Sequence, residues 1–367
     1  MGIQSIEVYR VALQYLEPFR IAPSTSIESE NVVVKIHTDY EVVGIGEASP
    51  SKRVTQETQE TVLHSFEKVC PRLIGMCPLR IEQIIEMMDK IIATNPSAKA
   101  AIDMALHDIL GKTTKKPLFK LLGGFRESVL TDITLSIKSP EEMARDAADA
   151  VKKGFKALKV KVGMAPEEDL ERVKRIRESV GADIAIRLDA NEGWNLKDAI
   201  KVLSRLEPFD IELVEQPVKA GDIKGLAKLR KSSSIPIMAD ESVHTPSDAI
   251  RVIREDAVDL INIKLMKSGG IWKAKKISAI AEAAGVSCMI GCMDESSIGI
   301  TAGVHLAAAL KNIQYADLDS DILLKDKLVL KGGAKLKASK RIPPEESGLG
   351  NLMLDARLVG RPVKVYR

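Results

Sequence analysis

Short apolar segments alternate with amphipathic helical segments over about half of this chain, from Val129 to about residue 323. Near-continuous apolar strands joined by helices are typical of a parallel sheet whose two faces are both covered. Eight such strands with seven intervening helices favour a closed barrel, so the predicted fold is a (β/α)7β-type TIM barrel of the α/β class. The predicted strands are 131–137, 155–162, 184–188, 211–214, 235–238, 258–263, 286–290 and 313–316.

The first 125 residues follow a different pattern. Residues 2–14 and 31–46 are predicted strands, and the polar, aperiodic stretch from Ile21 to Glu30 is predicted to be a loop. Helices are predicted where apolar residues recur at helical spacing, over 56–70, 79–93 and 97–112. Strands followed by helices indicate an α+β domain.

The chain is therefore predicted to have three segments. Residues 1–125 form the α+β domain, residues 126–323 form the barrel with the active site, and residues 324–367 form a C-terminal tail. The tail is basic and loop-like, but it ends in a strand-like segment at 362–366. We expect that segment to return to the first domain and complete it.

The composition argues against several classes of function. The net charge is +3 over 367 residues, which gives no basis for binding nucleic acid or an anionic membrane surface. No apolar run approaches the ~18–20 residues of a membrane helix, and the first residues lack the apolar core of a signal peptide. The four cysteines form no C-x-x-C pair, so they are interpreted as reduced thiols of a cytoplasmic protein.

Ionisable residues recur at the C-terminal ends of the predicted barrel strands, where such barrels carry their functional groups. They are Lys159 and Lys161 on the second strand, Asp189, Glu215, Asp240 and Lys264 on the next four, and Asp317 and Asp319 on the eighth. The residues from Lys161 to Lys264 follow one another at steps of 28, 26, 25 and 24 positions. One aspartate after a strand is most often a helix N-cap, but a series of charges within apolar strands is costly unless they converge.

The types of these residues indicate a metal-assisted proton transfer. Asp189, Glu215 and Asp240 form an oxygen-only ligand set that suits Mg²⁺, and no histidine or cysteine set favours zinc. A metal that binds a substrate carboxylate would stabilise the charge created when the neighbouring α-proton is removed. Lys161 and Lys264 lie four strands apart, on opposite sides of the barrel mouth, so a proton could leave from one face and return to the other. That chemistry is racemisation or epimerisation.

Five motifs carry a resemblance to a known family. They are Leu158-Lys-Val-Lys161, Leu188-Asp-Ala-Asn191, Val214-Glu-Gln-Pro217, Ala239-Asp-Glu-Ser242 and Asn262-Ile-Lys-Leu-Met-Lys-Ser-Gly-Gly270. They resemble the enolase superfamily, in its muconate-lactonising subgroup, and the resemblance extends over essentially the whole chain, with the first segment as a capping domain.

The resemblance implies a role for each residue at the strand ends. Lys161 and Lys264 would be the acid/base lysines. Asp189, Glu215 and Asp240 would be the ligands of one Mg²⁺ per subunit. Lys159, which would also assist catalysis, and Asn191 would lie beside the bound substrate carboxylate. Members of this family are symmetric homo-oligomers, so a homo-oligomer such as an octamer is expected.

Within the subgroup, Ala316-Asp-Leu-Asp-Ser320 resembles the Asp-x-Asp motif of dipeptide epimerases. Two carboxylates on one face are a reasonable receptor for the α-ammonium group of a dipeptide, although they could also be a solvated strand end. Thr134 matches a position near the substrate in those enzymes. The expected function is therefore epimerisation at the α-carbon of the C-terminal residue of a dipeptide.

The chain departs from epimerases that act on Ala-Glu. Those enzymes carry an arginine in a loop of the capping domain, and Ser24 occupies that place here, while Arg20 lies earlier. Cys292 and Asp294 follow the seventh strand and are predicted to bind substrate. Because Asp294 adds negative charge, a neutral, hydrophobic or cationic dipeptide is favoured, unless Asp294 caps the following helix.

Other functions remain open at this point. N-acylamino-acid racemase or o-succinylbenzoate synthase activity would use the same lysines and ligands without an ammonium receptor. Cycloisomerisation is a more distant alternative. An inactive barrel that serves as a binding protein is a different class, and it would exchange no α-hydrogen.

Overall fold

The computed structural model describes residues 1–22 and 24–367. Its N-terminal part contains an antiparallel sheet of three long or medium strands followed by helices. The strands are β1 (Ile3–Ile21), β2 (Ser24–Thr38) and β3 (Val43–Ala48), and the helices are α1 (Gln59–Leu73), α2 (Ile81–Ile91), α3 (Pro96–Thr114) and α4 (Leu118–Leu122). Apolar side chains from the sheet and the helices form a core of their own. This is the α+β capping domain that the sequence predicts.

The prediction of a loop from Ile21 to Glu30 is wrong for the described residues. β1 and β2 continue past the sheet as a two-stranded ribbon, with Arg20 opposite Thr25 and Gln14 opposite Glu28, and a register shift lies between these pairs. Most side chains near the end of the ribbon are exposed. A ribbon with no buried face has no reason to alternate apolar and polar residues, so its sequence does not show the strand period. Pro23 lies outside the described residues.

The barrel follows a short strand, β4 (Val129–Leu130). Eight parallel strands form one sheet in sequence order from β5 to β12. They are β5 (Ile133–Leu135), β6 (Ala157–Lys161), β7 (Ala185–Asp189), β8 (Ile211–Glu215), β9 (Ile237–Ala239), β10 (Leu260–Lys264), β11 (Ser287–Gly291) and β12 (Ile313–Asp317). A parallel bridge between Thr131 and Ala316 joins the two edges of the sheet. The predicted eight-stranded barrel is confirmed.

Helices connect the barrel strands. They are α5 (Pro140–Lys152), α6 (Pro166–Val180), α7 (Leu196–Leu206), α8 (Ile223–Ser232), α9 (Pro246–Arg254), α10 (Leu265–Ser268), α11 (Ile271–Ala283) and α12 (Ser297–Ala309), with a 3₁₀ turn at Glu207–Phe209. The start of α5 shows how the sequence sets a boundary, because Ser139 and Glu142 form a reciprocal capping box with Pro140 at the first helical position. Leu213, Met238, Leu260 and Met289 form a separate apolar cluster contributed by four barrel strands.

The C-terminal tail contributes to both parts. It follows α13 (Ser320–Leu323) and contains β13 (Val329–Lys331), β14 (Lys335–Lys337), β15 (Lys340–Ile342), β16 (Met353–Leu354), α14 (Ala356–Val359) and β17 (Lys364–Tyr366). β17 pairs with β1 and so completes the sheet of the capping domain, while β15 pairs with β4 at the start of the barrel. The exact boundaries of the three segments stay predictions.

In the described part of the chain, no helix is long and apolar enough to cross a membrane.

Helix α3 lies very close to β3 because two glycines leave room for it. A Cβ atom on Gly44 would lie 2.1 Å from the carbonyl oxygen of Ala105, and one on Gly46 would lie 1.9 Å from that of Ala101. Real Cβ atoms do not approach a backbone oxygen so closely, so any side chain would push the helix away from the sheet.

We predict that Gly46→Ala lowers the free energy of unfolding by about 3 kcal/mol, the upper part of the range for overpacking in a core. Chemical denaturation followed by circular dichroism measures this change. Gly221→Ala is the matched control, because a Cβ atom there meets nothing within 4 Å. Its effect should stay within about 0.5 kcal/mol. Equal effects of the two substitutions would contradict the close packing of α3 on β3.

Candidate active site

The register of the barrel strands brings the strand-end charges to one level. Lys161 lies opposite Asp189 on the neighbouring strand, and Asp189 lies opposite Glu215. On the other side of the barrel, Gly291 is the partner of both Lys264 and Asp317. Parallel strands that end at the same edge therefore place these side chains around a common mouth.

Glycine at position 291 has a spatial reason. A Cβ atom there would lie 2.7 Å from the side-chain amide of Asn262. Asn262 in turn donates a 2.7 Å hydrogen bond from Nδ2 to Oε1 of Glu215. The missing side chain thus leaves room for an amide that orients one of the carboxylates.

Buried ammonium and carboxylate groups alternate at the mouth. The Nζ atom of Lys159 lies 3.0 Å from Asp189, 2.8 Å from Glu215 and 2.7 Å from Asp317. All four side chains are at most 4% exposed. Since buried charges are stable only when they are paired, this network holds the strand ends in a fixed arrangement.

The two lysines expected to move protons have different partners. Lys161 donates hydrogen bonds to Oδ2 of Asp189 at 2.7 Å and to Oδ1 of Asn191 at 3.0 Å. Lys264 donates to Oδ2 of Asp240 at 2.8 Å. Both lysines line the same cavity, from strands that lie four apart in the ring of eight. Each lysine is therefore close to one carboxylate of the expected metal site.

The pKa values show how strongly these groups depend on one another. Burial works to lower the pKa of Lys159 and of Lys264, but the surrounding carboxylates outweigh it and raise both pKa values. Burial works to raise the pKa of Asp240, and the nearby lysines overcome it and lower that pKa well below its usual range. For Glu215, burial and the neighbouring Asp189 raise the pKa. These carboxylates are thus stable as anions only while cations neutralise them.

Asp189, Glu215 and Asp240 fit a magnesium ion by their chemistry. The three buried carboxylates come from adjacent strands and offer only oxygen atoms, which is the donor set of a hard divalent cation. Lysine ammoniums already contact all three carboxylates, which shows that the site is suited to positive charge. The arrangement can therefore hold a cation next to both lysines.

A second acidic group lies across the cavity. The ligand atoms of Cys292, Asp317 and Asp319 all lie within 4.8 Å of one another. Oδ2 of Asp319 accepts a 2.6 Å hydrogen bond from the backbone N–H of Thr134, and its Oδ1 lies 3.6 Å from Sγ of Cys292. Burial and the charge of Asp317 raise the pKa of Asp319. A cationic group of a substrate would relieve the repulsion between the two carboxylates.

The cavity joins all of these groups. It has a volume of about 660 Å³, including the space at its mouth, and it is lined by the barrel on one side and by the capping domain on the other. The predicted residues that line it are Thr134, Lys159, Lys161, Asn191, Lys264, Cys292, Asp294, Asp317 and Asp319. Asp189, Glu215 and Asp240 do not line the cavity themselves but lie 2.7–2.8 Å from lysines that do. Asp294 does not cap the following helix, because the N-cap of α12 is Ser296.

The structure also brings in residues that the sequence reasoning missed. Lys267 is buried, and its Nζ atom lies 2.5 Å from Oδ1 of Asp240 and 3.0 Å from the carbonyl oxygen of Asn262. The sequence contained a signal for it, since it is the second lysine of Lys264-Leu-Met-Lys267. Arg53 reaches from the capping domain to Oε2 of Glu192 at 3.0 Å and also to the carbonyl oxygen of Asn191. Arg53 is a single arginine in an irregular segment, so no local pattern marked it as a site residue.

Two family models together match most of the chain. Residues 5–123 match the model described as the N-terminal domain of mandelate racemase / muconate lactonizing enzyme. Residues 142–356 match the model described as enolase C-terminal domain-like. The chain belongs to the muconate-lactonizing-enzyme subgroup of the enolase superfamily. This membership confirms the resemblance that the five strand-end motifs indicate.

Individual members of the superfamily are similar over nearly the full chain. A hydrophobic dipeptide epimerase of Enterococcus faecalis is 47% identical over 95% of this chain and 99% of its own. An L-Ala-D/L-Glu epimerase of Clostridium acetobutylicum is 46% identical over 95% of this chain and 98% of its own. The solved structure of the Cytophaga hutchinsonii dipeptide epimerase, complexed with Mg and the dipeptide D-Ala-L-Val, covers 100% of both chains with a TM-score of 0.97 and 37% identity.

Proposed function

We propose that this protein is a dipeptide epimerase that moves a proton at the α-carbon of the C-terminal residue. The observation that carries the proposal is that Lys161 and Lys264 line one cavity from opposite sides of the barrel. Asp317 and Asp319 line the same cavity. The relatives described above, two of which are dipeptide epimerases by name, support the same activity.

The three carboxylates are proposed to hold one Mg²⁺ per subunit. When bound, the metal supplies positive charge that stabilises the negative charge developing on the substrate carboxylate. Lys159 acts on the same charge, because its ammonium group lies at the centre of the network and stays protonated there. Asn191 contributes by fixing Lys161, whose Nζ atom donates to its Oδ1.

Lys161 and Lys264 are proposed to share the proton transfer. One lysine, as a neutral amine, removes the α-proton, and the other, as an ammonium, delivers a proton to the opposite face. The carboxylates that raise the pKa of Lys264 would raise it less when they hold a divalent cation, which would make its neutral form accessible. After one turnover, the two lysines have exchanged protonation states. Epimerisation in both directions therefore needs both lysines, whereas removal of a proton from one face needs only one of them.

Asp317 and Asp319 are proposed to bind the α-ammonium group of the dipeptide. Asp317 also pairs with Lys159 at 2.7 Å, so one end of the receptor is tied to the catalytic network. Asp319 is held by the backbone N–H of Thr134 instead. A substrate without a free ammonium group, such as an N-acylamino acid, would leave both carboxylates without this partner.

The side chain of the C-terminal residue is proposed to be neutral, hydrophobic or cationic, but not acidic. Ser24 and Arg20 are exposed on the ribbon and do not line the cavity. Arg53 does line it, but its guanidinium group is already paired with Glu192. Its Nη2 atom pairs with Glu192, and its Nη1 atom lies 3.9 Å from Glu241, so two carboxylates already balance its charge.

The roles of the two lysines can be separated with deuterium. We predict that Lys161→Met and Lys264→Met each lower the rate of inversion by about 10²–10⁴-fold, the usual contribution of an acid or base. In D₂O, each variant should still exchange the α-hydrogen of one epimer, and the two variants should prefer opposite epimers. Mass spectrometry and chiral chromatography measure exchange and inversion. Lys276→Met is the control, because its partner Glu82 and Lys276 itself are both about half exposed. If both variants exchange the same epimer, the two-sided mechanism is wrong.

Asp319→Asn tests the ammonium receptor and the alternative function together. Asparagine keeps an oxygen for the N–H of Thr134 but removes the charge. Because a hydrogen bond to a charged group contributes about 1.5–3 kcal/mol, kcat/KM for a dipeptide should fall by about 10–100-fold relative to kcat/KM for the matching N-acetylated amino acid. An equal loss for both substrates, with the N-acylamino acid preferred by the wild type, would favour N-acylamino-acid racemase activity instead.

Magnesium should stabilise the folded protein as well as support the reaction. A site that binds only in the folded state adds about 2.7 kcal/mol of stability at a ligand concentration 100 times Kd. We predict that MgCl₂ raises Tm of the wild type, that Asp240→Asn abolishes this rise, and that equilibrium dialysis finds one ion per subunit. A rise in Tm that persists in Asp240→Asn would contradict the assigned ligands.

The oligomeric state and the cytoplasmic location stay predictions.

A further inference from the structure

Tyr15 of the capping domain reaches the cavity of the barrel. It lies on β1 beside the register shift of the ribbon, and its side chain is buried at 7% exposure. Its ring stacks on that of Phe19, with the centroids 5.7 Å apart. Its hydroxyl group donates a hydrogen bond to Oδ1 of Asp294. A hydroxyl group of the cap is thus hydrogen-bonded to one carboxylate oxygen of Asp294, a residue that lines the cavity.

The capping domain also holds the backbone of Asp294. The carbonyl oxygen of Asp294 accepts hydrogen bonds from Oγ of Ser29 at 2.6 Å and from Nδ2 of Asn31 at 2.9 Å. Ser296 lies two residues after Asp294, and its backbone N–H and hydroxyl group both donate hydrogen bonds to Glu47 of the cap. The backbone of Asp294 is therefore held by the cap, and its carboxylate cannot turn away without breaking the hydrogen bond from Tyr15.

The cavity wall around this pair is apolar. It is formed by the side chains of Phe19, Ile21, Val54, Met293 and Leu323, together with the ring of Tyr15. A cationic side chain placed here would lose its hydration and gain a carboxylate that already accepts a hydrogen bond. A neutral, apolar side chain would instead bury its surface against the wall at no such cost.

We propose that Tyr15 is a positioning residue that holds the Asp294 carboxylate against the cavity wall and so makes the site select a neutral, apolar side chain on the C-terminal residue. This inference rests on the proposed dipeptide epimerase function and decides between the neutral and cationic substrates that the function leaves open. The effect of Asp294 on the choice of substrate depends on its hydrogen bond with Tyr15. Its negative charge alone does not make this part of the cavity a binding site for cations.

The test compares two dipeptides that differ in charge, L-Ala-L-Leu and L-Ala-L-Lys. For each, kcat and KM are measured from α-hydrogen exchange in D₂O with the magnesium-loaded protein. The measured quantity is the ratio of kcat/KM for the lysine dipeptide to kcat/KM for the leucine dipeptide. In Tyr15→Phe, we expect this ratio to rise at least tenfold, mainly through a lower KM for the lysine dipeptide, because the freed carboxylate can turn toward the ammonium group. In the double variant Tyr15→Phe/Asp294→Asn, the ratio should return to the wild-type value or fall below it.

Tyr9→Phe is the matched control. Tyr9 lies on the same strand and donates to Oε2 of Glu7 at 2.5 Å, but it does not line the cavity. Loss of the Tyr9 hydroxyl group should leave the ratio within threefold of the wild-type value. Thermal unfolding of each variant shows whether the fold is kept.

Three results would overturn the inference: an unchanged ratio in Tyr15→Phe, a raised ratio that persists in the double variant, or a tenfold lower ratio in Asp294→Asn alone. The last would mean that Asp294 already binds cations in the wild type. Wild-type protein that exchanges the α-hydrogen of neither dipeptide would instead reject the proposed function itself.

Discussion

The burial of lysine ammoniums against carboxylates at the barrel mouth is the constraint on which the rest of the structure depends. Charges inside a protein must be paired, so Lys159 at the centre of Asp189, Glu215 and Asp317 fixes the ends of four strands at once. The same pairing gives the site its chemical character. Carboxylates that are stable only beside cations are suited to hold a metal, and the lysines that they pair with line one cavity from strands four apart in the barrel.

The capping domain completes what the barrel begins. Glu47 binds the start of α12, Tyr15 binds Asp294, and Arg53 binds the loop after the third barrel strand, so three separate contacts join the cap to the loops of the mouth. The barrel thus supplies the lysines and carboxylates of the cavity on rigid strands, whereas much of the apolar wall of the cavity comes from the cap. Such a division lets specificity change with few effects on the proton-transfer groups.

The strands of the barrel could be predicted from the sequence because both faces of each strand are buried and so leave a continuous apolar run. The charges at the ends of several runs stood out against them, and they include Asp189, Glu215, Asp240 and Lys264. The ribbon formed by β1 and β2 was missed, because its end has no buried face and so no alternation of residues. Arg53 was missed for a different reason, since its partner Glu192 lies 139 positions away in the sequence.

The sequence by itself determined the fold class and which residues converge at the barrel mouth, because periodicity and strand-end position are local properties of the chain. The family came from the resemblance of five strand-end motifs, which are local as well. Only the tertiary structure decided what each of those residues touches. Asp294 is the clearest case: its sequence position indicates a free negative charge in the pocket, but a tyrosine 279 positions earlier donates a hydrogen bond to it. A side chain's effective charge depends on its partners in space, and the one-dimensional pattern does not contain them.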